Sequence, residues 1–155
     1  MSTVRDPGPL AAPVRLAPRA TALRETEALC SMPVSAEAVP LLRRFARDTS
    51  RQWDLPGSAQ EAACVIVTEL VTNVLLHSGS RDVTLRIVLS DFALTVHVDD
   101  EGRWKHRPAA RLAAEDAGAR CGRGLQLVDA YAVACDVDRT ERGTRVRAEI
   151  AVAAA

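Results

Sequence analysis

Residues 58–77, SAQEAACVIVTELVTNVLLH, are the stretch of sequence that decides the fold. Apolar residues lie nearly all round the helix that this spacing predicts, so the helix is expected to be buried on most sides. Glu69, Asn73 and His77 are four residues apart and therefore form one polar stripe on it. Because a buried carboxylate is costly unless it is paired or used, the stripe indicates either a functional face or the solvated side of an amphipathic helix.

The segments around this central helix predict one domain preceded by a tail. Residues 1–20 contain four prolines, small residues and scattered arginines. Such a segment cannot bury enough apolar area to offset its ordering entropy, so we predict a disordered tail. Residues 21–155 then form one domain, which agrees with a chain of 155 residues.

The pattern along the chain predicts an α+β fold. In chain order, the predicted elements are a strand at 22–30, a helix from Ser35 to Trp53, the central helix from Ser58 to about His77, strands at 83–89 and 94–98, a short helix at 125–132, and a hairpin of strands 135–139 and 144–150. Parallel strands do not alternate with helices here. We therefore predict a two-layer α/β sandwich with a mostly antiparallel, mixed sheet and helices on one face.

Composition and charge exclude two classes of partner. The formal net charge is zero, whereas broad nucleic-acid binding requires a basic face. No apolar run reaches the roughly 18 residues of a membrane span, and we find no secretory signal. The cysteines Cys30, Cys64, Cys121 and Cys135 show no metal-ligand spacing, so we predict a cytoplasmic protein with reduced thiols.

Asp100 and Gly102 form the second candidate motif. Asp100 ends the strand that contains Val96 and Val98, at a position where ligands tend to meet open sheets. Gly102 allows the backbone to approach a ring closely. An acidic turn is the alternative interpretation.

Two glycine motifs complete the set. Gly122-Arg123-Gly124-Leu125 leads into the short helix, whose free N–H groups and positive dipole end suit a phosphate. A flexible loop with a glycine turn would give the same pattern, which is weak by itself. Gly143-Thr144 opens the last strand and alone indicates only a turn.

Taken together, in this order and spacing, the four motifs resemble the N, G1, G2 and G3 boxes of the GHKL (Bergerat-fold) ATPases. Glu69-Leu70-Val71-Thr72-Asn73 followed by His77, with the short Gly122–Val128 run, is most similar to the small anti-sigma-factor serine kinases. The resemblance covers residues 22–150. It implies the Bergerat fold, ATP and Mg²⁺ as ligands, and a role in partner-switching control of transcription.

The resemblance also implies a role for each matching residue. Asn73 would hold Mg²⁺ and Glu69 would be the general base, while His77 would pack or support. Asp100 would accept a hydrogen bond from the adenine amino group, supported by Thr144, and Gly102 would line the adenine face. The phosphates would be enclosed by Gly122, Arg123, Gly124 and Leu125.

One departure from the family pattern leaves the reaction open. The G1 box usually has a second glycine, but here Asp100-Glu101-Gly102 is followed by Arg103-Trp104. One hypothesis is a serine/threonine kinase that phosphorylates an antagonist protein and sequesters a sigma factor, and the resemblance implies that it forms a homodimer. A second is a binding module that only senses ATP, and a third is an ATP-binding regulator whose partner is not a sigma factor. The chain lacks room for the extra domains of gyrases and chaperones, and no histidine precedes Glu69 as a histidine kinase would require.

Overall fold

A buried helix packed on an antiparallel sheet forms the centre of the fold. The computed structural model describes residues 25–103 and 125–152. The elements in chain order are β1 (Thr26–Pro33), α1 (Ala38–Gln52), α2 (Gly57–Asn73), a π-helical turn (Val74–Ser78), β2 (Asp82–Leu89), β3 (Ala93–Asp100), α3 (Gln126–Tyr131), β4 (Ala134–Thr140) and β5 (Gly143–Ala151). The predicted tail, residues 1–20, lies outside the described residues.

The sheet has the order β1-β2-β3-β5-β4, and every described pairing is antiparallel. Along β3, Leu94, Val96 and Val98 are buried, while the residues between them are partly exposed. This alternation exposes one face of the sheet and buries the other against the helices. The predicted two-layer α+β architecture with helices on one face is confirmed.

Helix α2 lies at the centre of the core because it is apolar nearly all round. It contacts α1, α3, β3 and β5, and Ile66, Val67 and Leu70 are fully buried. Helix α1 is one-sided, and its buried positions Leu42 and Ala46 face the core. The core therefore consists of aliphatic side chains, as the scarcity of aromatic residues requires.

Two predicted element boundaries are wrong for local reasons. Helix α1 begins at Ala38, because Ser35 does not cap it with its side chain; the Ser35 carbonyl accepts a hydrogen bond from Ala38 N–H at 3.0 Å. The central helix is α-helical only to Asn73 and then widens into the π-helical turn. Such turns are rare and occur frequently at functional sites.

Helix α2 and the π-helical turn together are long and apolar enough to cross a membrane. The 22 residues Gly57–Ser78 contain a window of mean hydropathy 1.4. Polar residues interrupt this stretch, so it does not stand out as one continuous apolar run in the sequence. The run packs against the sheet and α1, and 50% of that window is buried within the fold. It is therefore the core helix of this domain.

The cysteines differ from the prediction of reduced thiols. Cys30 and Cys64 are free, but Cys135 is disulfide-bonded. The prediction for Cys135 was wrong because the spacing of cysteines along a sequence does not reveal which of them pair. Cys121 lies outside the described residues.

Candidate functional site

Glu69 and Asn73 lie one turn apart on α2, and both are half-buried. The neighbouring residues Leu70 and Val74 are fully buried, so the polar stripe borders the core. His77 is exposed within the π-helical turn and so does not pack into the core, and its supporting role stays a prediction. The polar stripe of the sequence is therefore a half-buried pair, Glu69 and Asn73, with an exposed end.

The amide of Asn73 carries the clearest sign of an external ligand. Its Nδ2 atom is buried and has no hydrogen-bond partner among the described residues. Buried polar groups are nearly always hydrogen-bonded, so an unpartnered amide on a core helix calls for an explanation. A ligand that reaches Asn73 would supply the missing partner.

Asp100 and Thr144 are buried next to each other on the sheet. They are directly paired between β3 and β5, and their exposed fractions are only 6% and 4%. Asp100 Oδ1 accepts a hydrogen bond from Gly102 N–H at 2.8 Å, which fixes the carboxylate at the start of the turn. A carboxylate oxygen can accept more than one hydrogen bond, so this contact is compatible with a ligand amino group.

Gly143 is required beside this pair. Its φ is 143°, and a Cβ there would overlap the carbonyl oxygen of Asp100. Only glycine lets the β4–β5 turn approach Asp100 this closely. In the sequence Gly143 indicated a turn, and the structure adds that it packs against Asp100.

Gly102 makes a different close approach from the one expected for it. A Cβ on Gly102 would overlap the Ser78 carbonyl oxygen and lie 2.8 Å from Ser80 N. The turn after Asp100 is thus pressed against the segment that ends the π-helical turn.

The described residues form only part of the predicted site. Leu125 is buried just before α3, but Gly122, Arg123 and Gly124 lie outside the described residues. A cavity of about 170 Å³ adjoins Asp100 and Thr144, but its lining includes neither Glu69 nor Asn73. We therefore do not equate this cavity with the nucleotide site.

The donor set fits Mg²⁺ held mainly by a ligand's own oxygens. No group of three or more His, Cys, Asp or Glu side chains within 25–103 and 125–152 could hold a metal ion. Mg²⁺ commonly binds one or two protein oxygens together with substrate phosphates. The Asn73 side-chain oxygen suits that arrangement, and its buried, unpartnered Nδ2 could donate a hydrogen bond to a phosphate oxygen of the same ligand.

Two residues beside the candidate site, Ser78 and Ser80, were not predicted from the sequence. The Ser80 hydroxyl accepts a hydrogen bond from Glu101 N–H at 3.0 Å, directly after Asp100. The Ser78 hydroxyl donates to the Val74 carbonyl at 2.9 Å. The spacing of Ser78 and Ser80 to Glu101 carries no signal in one sequence.

Comparisons with known proteins agree with this geometry. Residues 32–150 match the family model described as the histidine kinase-like ATPase domain. No curated protein matches the chain. The crystal structure of the RsbU and RsbW domains of Rv1364c from Mycobacterium tuberculosis superposes with a TM-score of 0.65 at 15% identity. The match covers 82% of this chain and 32% of that one, so the chain spans about a third of its structural relative's length.

Proposed function

The chain belongs to the family of histidine kinase-like ATPase domains, and on this basis we propose that it binds ATP with Mg²⁺ and acts as an anti-sigma-factor-like serine/threonine kinase. The observation that carries the nucleotide site is the buried, unpartnered Asn73 amide one helical turn from Glu69. The choice of a protein serine as acceptor rests on the resemblance of residues 69–77 and 122–128 to that group of kinases.

In the proposed site, residues of α2 bind the phosphate end of the nucleotide and the end of β3 binds the adenine base. The Asn73 side-chain oxygen would hold Mg²⁺, which when bound neutralises charge on the phosphates. Asp100 accepts the adenine amino hydrogen, with Thr144 beside it on β5. Gly102 lines the base, and Gly122, Arg123, Gly124 and Leu125 close over the phosphates.

Glu69 is the proposed catalytic residue. The serine oxygen of the antagonist protein forms a bond to the γ-phosphorus, the bond from that phosphorus to the β–γ bridging oxygen breaks, and ADP leaves. Glu69 accepts the proton of the serine hydroxyl. Phosphoryl transfer depends mainly on positioning and electrostatics, so a half-buried carboxylate fixed on a core helix is suited to this task.

Transfer of radiolabelled phosphate tests the kinase. A partner captured by pull-down is incubated with the protein, Mg²⁺ and γ-labelled ATP. We expect Glu69→Gln to keep ATP binding and lose transfer, while Glu61→Gln, an exposed glutamate on the same helix, keeps both. Equal transfer by Glu69→Gln and the unsubstituted protein would refute the general-base role.

A second candidate function is an ATP-dependent binding module without transfer. Trp104 at the position of the second G1 glycine favours it, because the residues that follow Gly102 depart from the family pattern. Such a module works only if its partner binds the ATP-bound and ATP-free states with different affinity. Nucleotide-dependent partner binding with no phosphate transfer would select this function.

The proposed partners are a sigma factor and its antagonist protein, with the chain acting as a homodimer. Exposed Leu29 on the edge strand β1 is the candidate apolar contact of the dimer. Sedimentation should show a dimer that Leu29→Lys weakens. A monomer at micromolar concentration would exclude the dimer.

We propose a cytoplasmic location and no direct binding of nucleic acid or membrane. Zero net charge and the burial of the apolar Gly57–Ser78 run support this. The disulfide at Cys135 runs against it, because disulfides are rare in the cytosol. Cell fractionation decides the location.

A further inference from the structure

We propose that the Ser78-Gly79-Ser80 turn sets adenine specificity, with Ser80 as the positioning residue that orients the turn after Asp100. The inference rests on the proposed nucleotide site and adds a residue to it. Ser80 does not touch the base in this proposal. It acts through Glu101, the residue that follows the proposed adenine acceptor.

A continuous chain of hydrogen bonds connects the end of α2 with the turn after β3. The Ser78 hydroxyl donates to the Val74 carbonyl at 2.9 Å and accepts from Ser80 N–H at 3.0 Å. The Ser80 hydroxyl then accepts from Glu101 N–H at 3.0 Å. Val74 directly follows Asn73, so the chain links the proposed phosphate end of the site to its adenine end.

The Ser80 hydroxyl is fixed because both of its hydrogen-bonding capacities are used. It donates to the Asp82 carbonyl at 2.7 Å while it accepts from Glu101. A hydroxyl has a single donor hydrogen, so its donation to Asp82 leaves the oxygen lone pairs directed at Glu101. Ser80 is thereby held between the start of β2 and the turn after β3.

Packing supports the same connection independently of the hydrogen bonds. A Cβ on Gly102 would overlap the Ser78 carbonyl oxygen, so the two turns are in direct backbone contact. The other end of the Asp100 turn is fixed by the hydrogen bond from Gly102 N–H to Asp100 Oδ1. The carboxylate direction therefore depends on a turn that Ser80 holds from outside.

The consequence for function is a loss of discrimination when the hydroxyl is removed. Adenine offers an amino hydrogen to Asp100, whereas hypoxanthine in ITP presents a carbonyl oxygen at that position and would leave the buried carboxylate unmatched. When the turn after Asp100 is less well held, the carboxylate can leave the orientation that discriminates adenine from hypoxanthine. A lost hydrogen bond of this type predicts a decrease of about three- to tenfold in the ratio of ATP to ITP affinity.

The first measurement is amide hydrogen exchange in the protein without nucleotide. In Ser80→Ala we expect Glu101 N–H to exchange about three- to tenfold faster, because its hydrogen bond is lost. The matched control is Ser90→Ala, which removes a part-buried turn serine at the other end of the same strands. Unchanged Glu101 exchange in Ser80→Ala, or an equal change in Ser90→Ala, would overturn the inference.

The second measurement is calorimetric titration with Mg²⁺-ATP and Mg²⁺-ITP. Ser80→Ala should lower the ratio of the two affinities, while Ser80→Thr and Ser90→Ala should keep it. A general loss of stability would weaken both nucleotides alike and leave the ratio unchanged. The inference about Ser80 is overturned if Ser80→Ala leaves the ratio of ATP to ITP affinity unchanged, or if Ser80→Thr lowers that ratio equally. Either result leaves the proposed function standing. If the unsubstituted protein binds neither nucleotide, or both equally, the adenine site of the proposed function fails, even where exchange confirms the Ser80 contact.

Discussion

Replacement of Asn73 by leucine should stabilise the nucleotide-free protein and abolish ATP binding. The Asn73 Nδ2 atom is buried without a hydrogen-bond partner among the described residues. A buried donor left unsatisfied costs roughly 1–3 kcal/mol. Leucine has the same branched arrangement of side-chain heavy atoms and no polar atom, so it removes that cost at the same place on α2.

The expected magnitude is about 1 kcal/mol beyond the gain in helix propensity. Leucine favours a helix more than asparagine does, by up to about half a kcal/mol. Thr72→Leu is the matched control, because Thr72 is the adjacent half-buried position on the same helix and gains a similar propensity. The difference between the two variants therefore isolates the buried amide.

Urea unfolding measures this difference, and thermal melting repeats it. A chain of this size should gain about 3 °C in Tm for each kcal/mol. Asn73→Leu should melt above Thr72→Leu without nucleotide, and excess Mg²⁺-ATP should raise the Tm of Thr72→Leu but not of Asn73→Leu. An Asn73→Leu protein less stable than Thr72→Leu would refute the reasoning, since the amide would then be satisfied in the free protein.

Two further predictions concern the sheet. Gly143→Ala should lower the unfolding free energy by about 1–3 kcal/mol, because φ is 143° and the new Cβ overlaps the Asp100 carbonyl. Gly57 has open space around it, so Gly57→Ala should not lower the unfolding free energy. Urea unfolding of both variants measures the difference. Burial, followed by the positive charge of Arg86, lowers the pKa of His97 below 6.5. The unfolded chain therefore binds more protons, so His97 contributes stability above its unfolded pKa that is lost as pH falls through the lower folded pKa. Unfolding free energy should fall between pH 7.5 and pH 6, and less so in His97→Gln; an equal fall in both proteins would contradict this.

The architecture could be predicted from the sequence because the spacing of apolar residues indicates which segments are helices and which are strands. The apolar run around Leu70 and the alternation of Leu94, Val96 and Val98 are local signals that tertiary packing reinforces. Helix and strand types were therefore correct, and the two-layer form followed from their order. Boundaries were less well predicted, since the π-helical turn after Asn73 depends on how Ser78 bonds back to Val74.

Only those parts of the site that lie within short sequence motifs could be predicted. Asp100 and Thr144 could be chosen from the family resemblance, but their direct pairing and burial emerge from the register of β3 with β5. Ser80 could not be found, because its contact with Glu101 joins residues 21 positions apart in the sequence. The disulfide at Cys135 was not predicted, because the spacing of cysteines in one sequence does not reveal which of them pair.

Calorimetric titration of the purified chain with Mg²⁺-ATP tests the nucleotide site most directly. We predict saturable binding of one ATP per chain, lost in Asn73→Leu and in Asp100→Asn, and kept in Ser31→Ala, which alters a hydroxyl between β1 and β2. Absence of binding at millimolar ATP, or undiminished binding by both Asn73→Leu and Asp100→Asn, would contradict the proposed site.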